Sequence, residues 1–178
     1  MRRAIVDVDG ILWDLHTRLI PLMHTLYPKM PNELPSEWNW FLEYMTLEQF
    51  AAITRMVHSE QIHHPAYPGA AELIKLLDKQ NYEIFIASQR DSNTANLLAK
   101  WLQKNYLTPY SMVYTGNSKK DFLEPGCLLI DDAPATIKYA LTLGCDVHYL
   151  DWPWNQGLGG NRWSDLYQLL GAISDGRD

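Results

Sequence analysis

The chain has 178 residues, 47% of them hydrophobic and 20% charged, with a formal net charge of −6 and a pI near 5.4. That size suits one soluble domain with a packed core and room for a small insertion, and the acidic balance speaks against broad electrostatic binding to nucleic acid or anionic membranes. No apolar run approaches the ~18 residues of a membrane helix, Asp7 interrupts the first apolar stretch as no signal peptide is interrupted, and Cys127 and Cys145, without metal-type spacing, read as reduced core residues of a cytoplasmic protein.

The first expected element is a strand over Arg3–Val8, leading into Asp7, Asp9 and Gly10. Residues i and i+2 of a strand face the same way, so its end presents two acids to one spot. Such a pair repels unless a cation lies between them or one acid keeps its proton. Gly10 lets the backbone turn sharply where a side chain would be strained.

From Leu15 to about His64 the strand–helix rhythm is broken. This stretch holds Pro21, Pro28, Pro31 and Pro35, the aromatics Trp38, Trp40, Phe41, Tyr44 and Phe50, and one expected helix around Leu47–Val57. It reads as a small helical cap. His58, His63 and His64 lack an acid at ligand spacing and read as a surface linker before Pro65 rather than a metal site.

Beyond the insertion the rhythm is regular. Ala70–Lys79 carries apolar residues at helical spacing and precedes a strand over Glu83–Ala87, which ends in Ser88, Gln89 and Arg90. A helix over Ser92–Asn105 with an Asp91/Ser92 cap follows, then a strand over Ser111–Tyr114 and the tract Ser118-Lys119-Lys120. The strand Cys127–Ile130 ends in Asp131-Asp132; helix Pro134–Leu143, strand Asp146–Leu150 and helix Trp163–Ile173 complete the chain.

Apolar strands alternating with helices predict right-handed crossovers and a Rossmann-like, doubly wound, mainly parallel α/β sheet. The expected division is a core of residues 1–14 and 65–178 with a cap of residues 15–64. Ligands of such sheets bind outside the carboxyl ends of the strands. There the chain places Asp7, Asp9, Ser88 and Asp131-Asp132, with Lys119 and Lys120 just ahead of the fourth strand. Each alone has a structural reading, as a cap or a solvated surface residue. Their joint occurrence at successive strand ends points to a site.

The order Asp-x-Asp-Gly, strand-Ser, Lys, strand-Asp-Asp resembles the haloacid dehalogenase-like phosphohydrolase superfamily over nearly the whole chain. Within it, Asp-Val-Asp-Gly-Ile-Leu, Leu128–Pro134 and Asp151–Gln156 with Arg162-Trp163 are similar to the 5'(3')-deoxyribonucleotidases. Gln89-Arg90 departs from the small hydroxyl residue or proline that such nucleotidases more often carry after the serine.

The chemistry this implies suits the residue types. Mg²⁺, which prefers hard oxygen ligands, offsets the charge of a carboxylate attacking a phosphate monoester. Asp7 is expected as the nucleophile forming an aspartyl-phosphate, and Asp9 as the group that protonates the leaving alkoxide and then activates water. Expected metal ligands are Asp7, Asp132 with Asp131 beside it, and, as the resemblance implies, the Asp9 carbonyl. Ser88 is expected on a phosphoryl oxygen together with a lysine; placing Phe122 and Leu123 inward favours Lys120 over Lys119.

Trp38, Trp40 and Phe41 of the cap, with Gln89, are candidates for holding a nucleobase, although large side chains also serve simply to build a small cap's core. The expected partner is a small phosphate ester, a (deoxy)nucleoside monophosphate first. Long nucleic acid and membrane are not expected, and a homodimer is compatible with the composition. The alternatives are a phosphatase of another small metabolite or of nucleic-acid 3'-phosphate ends, and a phosphate-binding regulatory protein of the same fold.

Overall fold

A computed structural model describes residues 2–108, 110–116 and 118–175. Among them six strands form one parallel sheet: β1 (Arg2–Val6), β2 (Tyr82–Ser88), β3 (Met112–Thr115), β4 (Leu128–Ile130), β5 (Asp146–Leu150) and β6 (Asn161–Trp163), in the spatial order β3-β2-β1-β4-β5-β6. The order reverses beside β1, so β1 and its neighbours open onto the crevice where such sheets bind ligands.

Strands β1, β2 and β4 bury both faces. Along β1, Ala4 and Val6 join one apolar cluster and Ile5 the other; β2 alternates likewise, with Ile84 and Ile86 against Phe85 and Ala87. Helices α3 (Ala70–Lys79), α4 (Ala95–Lys104) and α6 (Leu166–Asp175) cover the first face with Leu73, Ile74, Leu98, Trp101, Leu166 and Leu169. Helix α5 (Pro134–Thr142) covers the second with Ile137 and Ala140. Burying each such leucine or isoleucine contributes about 1.5–3 kcal/mol.

Residues 15–64 carry helix α1 (His16–Leu26), a 3₁₀ turn at Trp40–Glu43, helix α2 (Leu47–Glu60) and a 3₁₀ turn at Gln61–His63, with no strand among them. The sequence reading does not include α1, because Pro21 lies inside it; Leu19, Ile20 and Met23 nevertheless form its buried stripe. Thr46 starts α2 with a reciprocal capping box to Gln49, in which each side chain bonds the other's backbone N–H. Leu19, Met23, Phe41, Ile53 and Val57 join the same apolar cluster as α3 and β1, so the segment packs directly on the sheet layer.

Two differences from the expected elements matter. Strand β1 stops at Val6, before either acid, because the chain enters a tight turn in which the Val8 carbonyl accepts from the Leu12 and Trp13 N–H groups at 2.9 and 3.2 Å. Residues 161–163 form a sixth strand, so the last helix begins at Leu166 rather than Trp163. Three residues are too few for a period to show in the sequence, and the strand depends on β5 for its partner. No described helix is long and apolar enough to cross a membrane.

Candidate active site

Asp7 continues the ladder beyond β1, its N–H donating to the Ile130 carbonyl at 2.8 Å, and its Oδ1 accepts from the Val8 N–H at 2.7 Å. Gly10 closes the turn at φ +80°, and a Cβ there would collide with the Asp132 carboxylate. The glycine serves the turn and the close approach of the neighbouring strand end together.

Asp7, Asp131 and Asp132 each aim a carboxylate oxygen at one locus, the three atoms lying within 4.8 Å of one another. All three side chains are buried. Lys119 Nζ lies 2.7 Å from Asp7 Oδ2 and 2.7 Å from Asp131 Oδ2. Asp131 Oδ1 also accepts from the Ala133 N–H at 2.8 Å, and Asp132 Oδ2 meets His16 Nε2 at 3.1 Å. Burial pushes the Asp7 carboxyl well up, against Lys119 and with the three acids 131, 132 and 9. Burial likewise raises Asp132, opposed by its bond to His16. For Lys119 burial acts downward, but Asp131 and Asp7 outweigh it, so its ammonium is held charged.

Three buried acids against one lysine leave the locus short of positive charge. Hard oxygen donors this close suit a small divalent cation such as Mg²⁺. Each of Asp7, Asp131 and Asp132 offers one oxygen to the locus; Asp7 and Asp131 each also bond Lys119 and one backbone N–H, and Asp132 bonds His16.

The lysine inside the site is Lys119, not the favoured Lys120. Lys120 is exposed and holds its ammonium 4.8 Å over the Tyr139 ring. Phe122 packs on Phe85 and Tyr114, and Leu123 is buried, as the inward placement required. Residues 120–122 form a 3₁₀ turn, in which side chains three apart eclipse, so Lys119 shares the inward face with Phe122.

Asp9 points into a different set of partners and is not part of the three-acid locus. Its Oδ1 accepts from Trp13 Nε1 at 2.7 Å and Arg90 Nη2 at 2.7 Å and lies 3.2 Å from His58 Nε2; its Oδ2 accepts from Ser88 Oγ at 2.9 Å. Burial alone would raise its pKa, but Arg90, His58 and the Trp13 bond together hold it well below the usual carboxylate range. Ser88 is fully buried, and its hydroxyl also accepts from Arg90 Nε at 2.8 Å. That hydroxyl thus donates to Asp9 and accepts from Arg90.

His58 corrects the surface-linker reading. It is 3% exposed, on the last turn of α2, against Asp9. Phe50, Thr54 and His58 follow one another at intervals of four, so one helix face carries all three into the cavity. That spacing is legible in the sequence; the acid that His58 meets, 49 positions earlier, is not. Arg90 and His16 are not site candidates by sequence for the same reason: Asp9 and Gln61 reach Arg90, and Asp132 reaches His16, from other strands and turns.

Above the acids lies a cavity of about 280 Å³. Asp7, Asp9, Lys119, Asp132 and Gln89 form part of its wall, and Trp38, Trp40 and Phe41 line it from the inserted segment. Phe41 stacks on Phe50 with ring centroids 3.8 Å apart, Trp40 meets Tyr44 edge-on at 6.4 Å, and Trp38 meets Trp154 edge-on at 5.8 Å. Trp154 is a wall residue that the sequence reading left out. The Pro153–Asn155 turn after β5 puts it there: Asn155 Oδ1 accepts from the Trp152 N–H at 3.0 Å and its Nδ2 donates to the Leu150 carbonyl at 2.9 Å. Trp152 and Trp154 then stack, with His16 edge-on to both.

No protein-family model matches the chain. A Chlorobaculum tepidum protein described as "Putative 5'(3')-deoxyribonucleotidase" is 21% identical over 187 residues, covering 94% of this chain and 89% of the relative. Among solved structures, the magnesium-bound "putative HAD-hydrolase" of Bacillus subtilis aligns with a TM-score of 0.66 at 17% identity, covering 97% of this chain and 98% of its own. A hydrolase from Pseudomonas syringae aligns with a TM-score of 0.66 at 19% identity, covering 98% and 99%.

Proposed function

From its haloacid dehalogenase-like α/β fold we infer that the chain is a magnesium-dependent phosphomonoesterase acting on nucleoside monophosphates, deoxy forms included. The observation that carries this reading is the placement of Asp7. It stands at the end of the central strand, joined to Lys119 and beside Asp131 and Asp132, on the floor of a cavity walled by aromatic rings.

On this reading an Asp7 oxygen attacks phosphorus, the bond from phosphorus to the leaving alkoxide breaks, and water later hydrolyses the aspartyl-phosphate. Asp7 and Asp132 hold Mg²⁺, which offsets the negative charge that otherwise keeps a phosphate from a carboxylate. Lys119 places its ammonium where the phosphoryl oxygens gather charge. The leaving alkoxide needs a proton and the attacking water must lose one; Asp9, whose carboxylate lines the same cavity, carries that proton in both steps. Residues 15–64 act as the cap, and rings such as Trp38 and Trp154 offer flat apolar surface to a base.

The description of the C. tepidum relative supports the nucleotide class. So does the wall chemistry: Lys119 is the only lysine or arginine side chain among the described residues that line the cavity, which suits one phosphate attached to an apolar flat group better than a bisphosphate. A panel of dUMP, dTMP, UMP, AMP, sugar phosphates, a 3'-phosphorylated oligonucleotide and p-nitrophenyl phosphate, each with Mg²⁺ and with EDTA, tests it. Mg²⁺-dependent preference for the mononucleotides is expected. Hydrolysis of sugar phosphates or oligonucleotide ends alone overturns the substrate class, and no hydrolysis of any ester overturns the enzyme.

A further inference from the structure

We propose that Arg90 is a positioning residue for this site: its guanidinium fixes Asp9 and Ser88 in place and ties them to the inserted segment. The inference rests on the phosphatase reading for its kinetic consequence and on geometry alone for the placement. All three edges of the guanidinium are used. Nη2 donates to Asp9 Oδ1 at 2.7 Å, Nε to Ser88 Oγ at 2.8 Å, and Nη1 to Gln61 Oε1 at 2.6 Å. Ser88 closes the figure by donating to Asp9 Oδ2 at 2.9 Å. The arginine side chain is fully buried, and Ser88 and Gln61 are 0% and 1% exposed.

A planar, always-charged fork is the group that satisfies three acceptors in fixed directions; a lysine is a point charge on a flexible stem and does not. Gln61 belongs to the 3₁₀ turn that continues α2, so the arginine joins the second strand end to the helix that carries Phe50 and His58 into the cavity. Arg90 itself does not line that cavity; it borders the neighbouring one of about 680 Å³. Its effect on turnover therefore passes through Asp9 and Ser88.

The test compares Arg90→Lys, Arg90→Ala and Gln61→Leu with the parent chain. The first readout is kcat and KM per folded active site. A misplaced catalytic group costs about a hundredfold, so Arg90→Lys is expected to lower kcat by about tenfold to a hundredfold, with KM within about threefold because no substrate contact is lost. Guanidinium ion, admitted from the adjoining cavity, is expected to restore part of the Arg90→Ala rate. The second readout needs no activity: the Trp13 indole N–H donates to Asp9 Oδ1, so its NMR resonance is expected to move and to exchange faster with water in Arg90→Lys. Unchanged kcat per folded site, or an unmoved Trp13 resonance, overturns the proposal. If Arg90→Ala does not fold, Arg90→Lys and Gln61→Leu decide it. If the parent chain hydrolyses no ester, the phosphatase reading fails, and the Trp13 resonance still decides whether Arg90 positions Asp9.

Discussion

Two carboxylates separated by one residue meet opposite surroundings in this chain. Asp7 is buried with acids 131 and 132 and shares one ammonium with Asp131, so its neighbours favour a proton or a cation on it. Asp9, its side chain 14% exposed, faces a guanidinium, an imidazole, an indole N–H and a hydroxyl, which hold its carboxyl well below the usual range. Environment divides the roles of the pair. Asp7→Asn removes the charge of the proposed attacking oxygen with little change in shape, and phosphatase assays are expected to show a loss of about four orders of magnitude or more. The two lysines separate the same way. Lys119→Met is expected to cost about a hundredfold or more in kcat, as losing one stabilising cation does, whereas Lys120→Ala, which gives up only a contact over Tyr139, stays within about twofold.

Among the elements, the far edge of the sheet carries its own pH dependence. His148 on β5 accepts at Nδ1 from the Trp163 indole of β6 at 3.0 Å, and its Nε2 lies 3.0 Å from Asp146 Oδ1. Accepting from the indole requires Nδ1 without a proton. Burial lowers the pKa of His148 below 6.5, with Asp146 acting the other way. A base whose folded pKa lies below its unfolded value binds more protons when unfolded, so stability is complete above pH ~6.5 and falls as pH drops below it. Urea unfolding at pH 7.5 and 5.5 is expected to show that loss, and His148→Gln is expected to flatten it. The same edge explains why β6 was not foreseen: Asn161–Trp163 are mostly exposed and hold no alternation, and only pairing with β5 makes them a strand.

At the scale of the molecule, the acids, the lysine and the aromatic wall meet because the sheet order reverses at β1 and the inserted segment folds over that crevice. On the proposed reading, a divalent cation held by the three-acid locus stabilises the whole fold. A ligand bound only by the native state adds RT ln(1 + [L]/Kd), about 2.7 kcal/mol at a hundredfold excess over Kd, or roughly 5–10 °C in Tm. Adding Mg²⁺ is therefore expected to raise Tm, EDTA to reverse the rise, and Asp132→Asn to shrink it; a thermal melt checks all three without a substrate.

The sequence alone determined the α/β layering, the positions of five strands to within about two residues and the carboxyl-end location of Asp7, Asp9, Ser88 and Asp131-Asp132. These follow from period-two and helical patterns that the chain carries locally. Tertiary structure decided the rest: which lysine enters, that the Asp9 side chain joins Arg90 and His58 rather than the three-acid cluster, that the Ser88 hydroxyl bonds Asp9, and that Trp154 walls the cavity. Each of those is a pairing between residues far apart in the chain, and electrostatics within a few ångströms depends on who is adjacent in space, which no local period records.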